Sequence, residues 1–144
     1  MKVKDAMTRG AECVGPDASL QEAARKMKDL DVGPLPVCGD NNKLVGLLTD
    51  RDIVVRAVAE GKDPRTAKVR EAMTEGVCYC FEEDDVADAA RLMKEKQIRR
   101  LVVFDRNKHA VGMVSLGDIA TRIGNDQLSG DTLQQVSQPS QPHA

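Results

Sequence analysis

Shifted by 66 residues, this chain overlays on itself without a gap. VKDAMTRG at 3–10 falls on VREAMTEG at 69–76, and AARKMK at 23–28 falls on AARLMK at 89–94. LPVCGDNNKLVGLLTDRDIVVR at 35–56 falls on LVVFDRNKHAVGMVSLGDIATR at 101–122. Between residues 3 and 56, eighteen positions are identical to the second copy. A tandem duplication restricts the fold severely. Whatever one copy forms the other forms again, and two like units must bury the faces that each alone leaves open.

Each copy reads as β-α-β-β-α. In the first, Ser19 and Glu22 make the capping-box pattern ahead of an apolar stripe at Leu20, Ala23, Ala24, Met27 and Leu30, which is helical spacing. The second copy repeats the stripe with Val86, Ala89, Ala90 and Met93. Strands are expected at 35–38 and 101–104, Gly/Asp/Asn turns at 39–42 and 105–108, and return strands at 44–48 and 110–114, so that each pair closes a hairpin. A second helix begins near 50 or 116, and a short extended piece at 11–14 or 77–80 precedes the first helix. The expected fold class is α+β and sandwich-like, a tandem pair of these units with pseudo-two-fold symmetry. The first repeat spans 1–61, a polar connector 62–68 and the second repeat 69–123. The Gln/Ser/Pro-rich remainder, 124–144, is expected to be mostly disordered, with at most one helical turn near Leu133.

Composition removes several function classes. A net charge of −2 and a pI near 5.7 lack the basic surplus of a nucleic-acid binder. Tyr79, Phe81 and Phe104 are the only aromatics, too few for a base-stacking platform. No apolar run approaches the roughly 20 residues of a membrane span. The start, MKVKDAMTRG, has no signal-peptide core, which predicts a cytoplasmic protein. The four cysteines form no CxxC pair, and His109 and His143 are the only histidines. Neither a zinc site nor a nucleophile–base pair is expected, and the acids Asp84 and Asp85 read as the start of a helix. The chain therefore does not read as an enzyme.

The stretch GLLTDRDIV at 46–54, echoed by GMVSLGDIA at 112–120, carries the chemistry. Thr49 with Asp52, and Ser115 with Asp118, fit a helix capping box. They also fit a ligand site. A carboxylate accepts two hydrogen bonds from a cis-diol, each contributing about 1.5–3 kcal/mol. A hydroxyl beside the free N–H groups of a helix start suits a phosphate. Gly46 and Gly112 would let the strand backbone approach a ligand closely. The copies also differ. Arg99 and Arg100 of the second stand where the first has Gly33 and Pro34, and Arg51 has no basic counterpart. Lys4 and Lys68 open the two copies. Cys13 and Cys38 overlay on Tyr79 and Phe104, which suggests two neighbouring positions. In a reducing compartment two buried thiols are expected there rather than a disulfide.

These residues resemble a CBS-domain pair, the cystathionine-β-synthase domain module. The resemblance rests on the G-h-x-[ST]-x-x-D motif present as GLLTDRD and GMVSLGD, on the element order with SLQEAARKM and LPV, and on AMT opening each copy, and it covers 1–123. It implies a regulatory sensor that holds an adenosine-containing ligand in clefts between the copies. AMP is the foremost candidate, with ADP, ATP, NAD and S-adenosylmethionine as the others. By the resemblance, Asp52 and Asp118 hold the ribose diol while Thr49 and Ser115 face the phosphate. Leu47 and Met113 would wall the adenine slots, and Val32 and Ile98 would meet the ligand of the opposite copy's motif. Arg51, Arg99, Arg100 and, more weakly, Lys4 and Lys68 would supply charge to the phosphate. A homodimer and a downstream protein that reads a change of shape are implied as well. The alternative is a structural dimer module with vestigial sites, since CYCFEEDD departs from the family pattern more than CVGPDAS does.

Overall fold

The computed structural model describes residues 1–123; the tail expected at 124–144 lies outside the described residues. The described residues form two compact units, one of Glu12–Val77 and one of Met1–Ala11 together with residues 78–123. These are not simply the two sequence copies, because the opening segment of each copy belongs to the unit built from the other.

In the Glu12–Val77 unit, helix α2 (Leu20–Leu30) starts where Ser19 Oγ accepts the Glu22 N–H at 3.1 Å. It ends at Asp31, whose left-handed backbone (φ 55°) lets the Val32 N–H donate back to the Met27 carbonyl at 3.0 Å. Strands β2 (Pro34–Cys38) and β3 (Leu44–Thr49) then form an antiparallel hairpin with a bulge at Val37/Cys38. Asn41 and Asn42 supply the positive φ values that its turn requires. Beyond β3 the chain enters α3 (Asp50–Ile53), which widens into a π-helical turn at Val54–Val58. Single bridges extend the hairpin on both sides: Val14 pairs in parallel with Val37, and Leu47 pairs antiparallel with Thr74. Leu20, Ala23, Met27, Leu35, Val37, Leu48, Val69 and Ala72 make the core.

The other unit repeats this plan in fuller form. The one-turn helix α1 (Val3–Ala6) leads into β1 (Thr8–Arg9). After β4 (Tyr79–Phe81), helix α4 (Val86–Lys96) begins at Asp85, whose side chain accepts the Ala87 N–H at 2.9 Å. Hairpin strands β5 (Arg100–Phe104) and β6 (Ala110–Ser115) follow, then α5 (Leu116–Ile123). The sheet order is β1-β6-β5-β4, with β4 parallel to β5. Its core gathers Val3, Ala6 and Met7 with Ala89, Ala90, Met93, Leu101, Val103, Val114 and Ile119.

The α+β class and the helix–hairpin–helix order are as the sequence predicts. One stripe residue departs from it. Ala24 is exposed, whereas its counterpart Ala90 is fully buried. In the unit of Ala90 the helix α1 packs on α4, while the segment equivalent to α1 in the other unit is only a 3-10 turn at Val69–Glu71.

Candidate functional site

Each hairpin delivers its motif to a helix start. In β3, Gly46 and Leu48 point to the core, so Leu47 and Thr49 share the opposite face. In β6, Gly112 and Val114 point inward and Met113 and Ser115 share the opposite face. Both junctions close as reciprocal capping boxes. The Asp52 N–H donates to Thr49 Oγ1 at 3.1 Å, and the Thr49 N–H donates to Asp52 Oδ2 at 2.9 Å. The Asp118 N–H donates to Ser115 Oγ at 3.0 Å, and the Ser115 N–H donates to Asp118 Oδ2 at 2.9 Å. Each carboxylate is thereby fixed through one oxygen. Oδ1 of Asp52 and of Asp118 accepts no hydrogen bond among the described residues. All four side chains are half-buried, and so are Leu47 and Met113.

The two motifs differ in charge at the helix start. Arg100 stands directly across the hairpin from Ser115, and the Arg99 carbonyl accepts the Leu116 N–H at 2.8 Å. Both arginines are exposed. In the first copy Pro34 stands across from Thr49, and the Gly33 carbonyl accepts the Asp50 N–H at 3.0 Å. There Asp50 fills the helix start with its own carboxylate: Oδ1 accepts the Arg51 N–H at 3.0 Å and lies 3.2 Å from where a Cβ on Gly33 would stand. At α5 the corresponding position is the apolar Leu116. Asp50 is a residue that sequence reasoning missed. Its signal was present, a carboxylate directly after the motif threonine in one copy only.

The other expected positions fall as follows. Val32 and Ile98 each end a helix, with their N–H groups bonded to the carbonyls of Met27 and Met93 at 3.0 Å. Ile98 packs against the core of its unit, while Val32 is 37% exposed. Arg51 is exposed. Lys4 Nζ is paired with Glu83 Oε1 at 2.9 Å, an attachment that raises its pKa and ties it to the turn before α4. Lys68 lies 3.7 Å from Asp17.

Gly46 and Gly112 serve a different purpose from the one expected. A Cβ on Gly112 would fall 2.4 Å from the Thr8 carbonyl oxygen. One on Gly46 would fall 2.8 Å from Met73 Sδ and 2.9 Å from the Thr74 carbonyl oxygen. The space that each missing side chain leaves is taken by an AMT segment. No group of three or more His, Cys, Asp or Glu side chains suited to a metal exists among the described residues, and no described helix is long and apolar enough to cross a membrane.

Comparison with known proteins agrees with this architecture. The CBS domain family model matches twice, over residues 3–58 and 69–125. The CBS domain-containing protein YhcV of Bacillus subtilis is 40% identical over 135 residues, covering 94% of each chain. Hypoxic response protein 1 of Mycobacterium tuberculosis is 38% identical over 120 residues, 83% of each chain. Its crystal structure, which has two coordinated zinc ions, superposes with a TM-score of 0.70 over 83% of this chain and 97% of that one. The CBS domain pair of protein MJ0100, in complex with 5′-methylthioadenosine and S-adenosyl-L-methionine, superposes with a TM-score of 0.70 at 28% identity, over 88% of this chain and 98% of that one.

Proposed function

Because the chain belongs to the CBS domain family, with two copies in tandem, we propose that it is a regulatory module that binds an adenosine-containing ligand at its G-h-x-[ST]-x-x-D motifs. Binding alters its conformation or assembly, and a partner protein reads the change. The observation that carries this reading is the duplicated capping box. It aims Asp52 and Asp118 rigidly while Oδ1 of each is left to accept from a ribose diol. The similarity to a pair bound to 5′-methylthioadenosine and S-adenosyl-L-methionine supports the same ligand class.

The two motifs take different ligands in this proposal. Ser115, Asp118, Arg99 and Arg100 form the phosphate-bearing site, with AMP as its first candidate and ATP and NAD as the others. Thr49 and Asp52, with Asp50 at the helix start, suit an adenosine that carries no phosphate, such as S-adenosylmethionine; Arg51 is secondary there. Leu47, Met113, Val32 and Ile98 contribute apolar walls. The working form is a homodimer, supported by the apolar stretch of Val54, Val55 and Val58, which are 57%, 45% and 60% exposed.

Isothermal titration calorimetry with AMP, ATP, NAD and S-adenosylmethionine tests the reading. AMP affinity should fall at least about tenfold in Asp118→Ala and little in Asp52→Ala. Absence of binding below millimolar for all four, or affinities unchanged in both variants, refutes it. A second reading has one observation in its favour: the caps engage Thr49, Asp52, Ser115 and Asp118 without any ligand. In that reading the chain is a structural dimer, and substitutions at the motifs change only stability.

A further inference from the structure

In the Glu12–Val77 unit, two thiols stand side by side. The Val14 N–H donates to the Pro36 carbonyl at 3.0 Å, and the Cys38 N–H donates to the Val14 carbonyl at 3.0 Å, so Val14 lies in parallel register with Val37. Paired residues of a parallel ladder share a face, and their chain neighbours take the other. Val14 and Val37 point into the core. Cys13 and Cys38 therefore both point away from it, diagonal to each other on one face. The equivalent positions in the other unit hold Tyr79 and Phe104, whose ring centroids are 5.4 Å apart. Their placement as neighbours is thus a property of the fold, repeated in both copies. Here the side chains are short, and the two sulfurs share a hydrogen bond.

The two thiols are unlike in reach and in acidity. Cys13 is half-buried and the more accessible of the two, while Cys38 is 8% exposed. The hydrogen bond from Cys38 lowers the Cys13 pKa, and the Lys26 ammonium, whose Nζ donates to the Cys13 carbonyl at 3.1 Å, adds to the effect. The same hydrogen bond, together with burial, pushes the Cys38 thiol up. A thiolate is the reactive form of cysteine, so the accessible member of the pair is also the nucleophilic one. In the other unit, Cys80 is 5% exposed and its thiol is pushed up to about 12 by burial.

We propose that Cys13 and Cys38 form a redox couple, with Cys13 reacting with hydroperoxides and Cys38 resolving the product into an intramolecular disulfide. The Cys13 thiolate attacks one peroxide oxygen. An S–O bond forms and the O–O bond breaks, leaving a sulfenic acid and a hydroxide that takes up a proton. The Cys38 sulfur then attacks the Cys13 sulfur. The S–S bond forms, the S–O bond breaks, and the hydroxyl leaves as water with the Cys38 proton. Two thiols lose two electrons together, and hydrogen peroxide is reduced to two waters. The bridge ties the segment at Cys13 to β2, the partner strand of β3, which delivers Thr49 and Asp52.

The test is peroxide titration of the reduced, full-length protein, followed by alkylation, intact mass and peptide mapping. One equivalent of hydrogen peroxide should remove two alkylatable cysteines and yield a Cys13–Cys38 cross-linked peptide that dithiothreitol reverses. The bridged protein should melt about 5–10 °C higher than the reduced one. Cys38→Ser should leave a sulfenic acid on Cys13 that dimedone traps, and Cys13→Ser should slow peroxide consumption about tenfold or more. Four cysteines still alkylatable after peroxide, or a bridge found instead at Cys78–Cys80 or between chains, overturns the proposal.

Discussion

Leu47 and Thr74 exchange both of their backbone hydrogen bonds: the Leu47 N–H donates to the Thr74 carbonyl at 2.9 Å, and the Thr74 N–H donates to the Leu47 carbonyl at 2.8 Å. Thr8 and Met113 are partners at the equivalent position of the other unit. The AMT segment of each copy thus closes the open edge of the hairpin built from the other copy, beside the G-h-x-[ST]-x-x-D motif.

That pairing sets the cost of a methyl group at the two motif glycines. Gly112→Ala drives a Cβ to 2.4 Å from the Thr8 carbonyl oxygen, which is backbone and cannot rotate away. The strand pair must separate, and the expected loss is about 2–3 kcal/mol. Gly46→Ala meets Met73 Sδ at 2.8 Å and the Thr74 carbonyl oxygen at 2.9 Å, of which the sulfur can swing aside. It should lose about 1–2 kcal/mol, and always less than Gly112→Ala. Urea denaturation of the two variants checks the order. Equal midpoints would show that the segments are not held at these distances.

Local rules made much of this legible. Thr49 to Asp52 and Ser115 to Asp118 read as capping boxes because the pattern is local and the hydrogen bonds follow from spacing alone. The Cys13–Cys38 and Tyr79–Phe104 adjacency was readable by overlaying the copies. The exchange of the opening segments was not. VKDAMT and VREAMT are nearly the same sequence, so each fits either hairpin, and connectivity rather than pattern decides between them. The π-helical turn at Val54–Val58 was also hidden, since VVRAV has the same apolar spacing as an α-helix. Whether the motifs bind a ligand lies beyond local pattern, because a completed cap and a ligand site use the same residues.

Conservative substitutions separate those two uses. Asp118→Asn keeps an oxygen to accept the Ser115 N–H and so retains most of the cap, whereas Asp118→Ala loses it at a cost of about 1 kcal/mol. If Asp118 holds a ribose, both variants lose AMP affinity, and Asp118→Asn does so with nearly normal stability. Arg100→Ala, across the hairpin from Ser115, should weaken AMP about tenfold and leave adenosine unchanged. Parallel calorimetry and thermal melts read both quantities. Arg100→Ala weakening adenosine as much as AMP would remove the phosphate assignment.

The exposed Val54, Val55 and Val58 give assembly a handle. Val55→Asp with Val58→Asp places two charges on this surface, where a solvated monomer tolerates them and an apolar interface does not. The double variant should elute as a monomer at concentrations where the wild type is a dimer, with unchanged far-ultraviolet circular dichroism. Wild-type protein that is already monomeric by multi-angle light scattering at about 100 μM would remove self-association from the reading.

Glu83 makes the attachment of the opening segment sensitive to acid. Its carboxylate pairs with the ammonium groups of Lys2 and Lys4, which hold its pKa down at about 2 against an ordinary 4.5. A carboxyl whose pKa is lower folded than unfolded stabilises the fold fully above the unfolded value and loses that contribution as pH falls through the folded one. The contribution is therefore complete at pH 6 and disappears between about 4.5 and about 2. The groups are solvent-exposed, so it is small and screened by salt. Glu83→Gln removes it at every pH. The gap between wild type and Glu83→Gln in urea midpoint should be open at pH 6, close steadily below pH 4.5, and narrow at pH 6 when 0.5 M sodium chloride is added. A gap that persists unchanged to pH 2.5 would mean that Glu83 acts through packing at the turn before α4 and not through its charge.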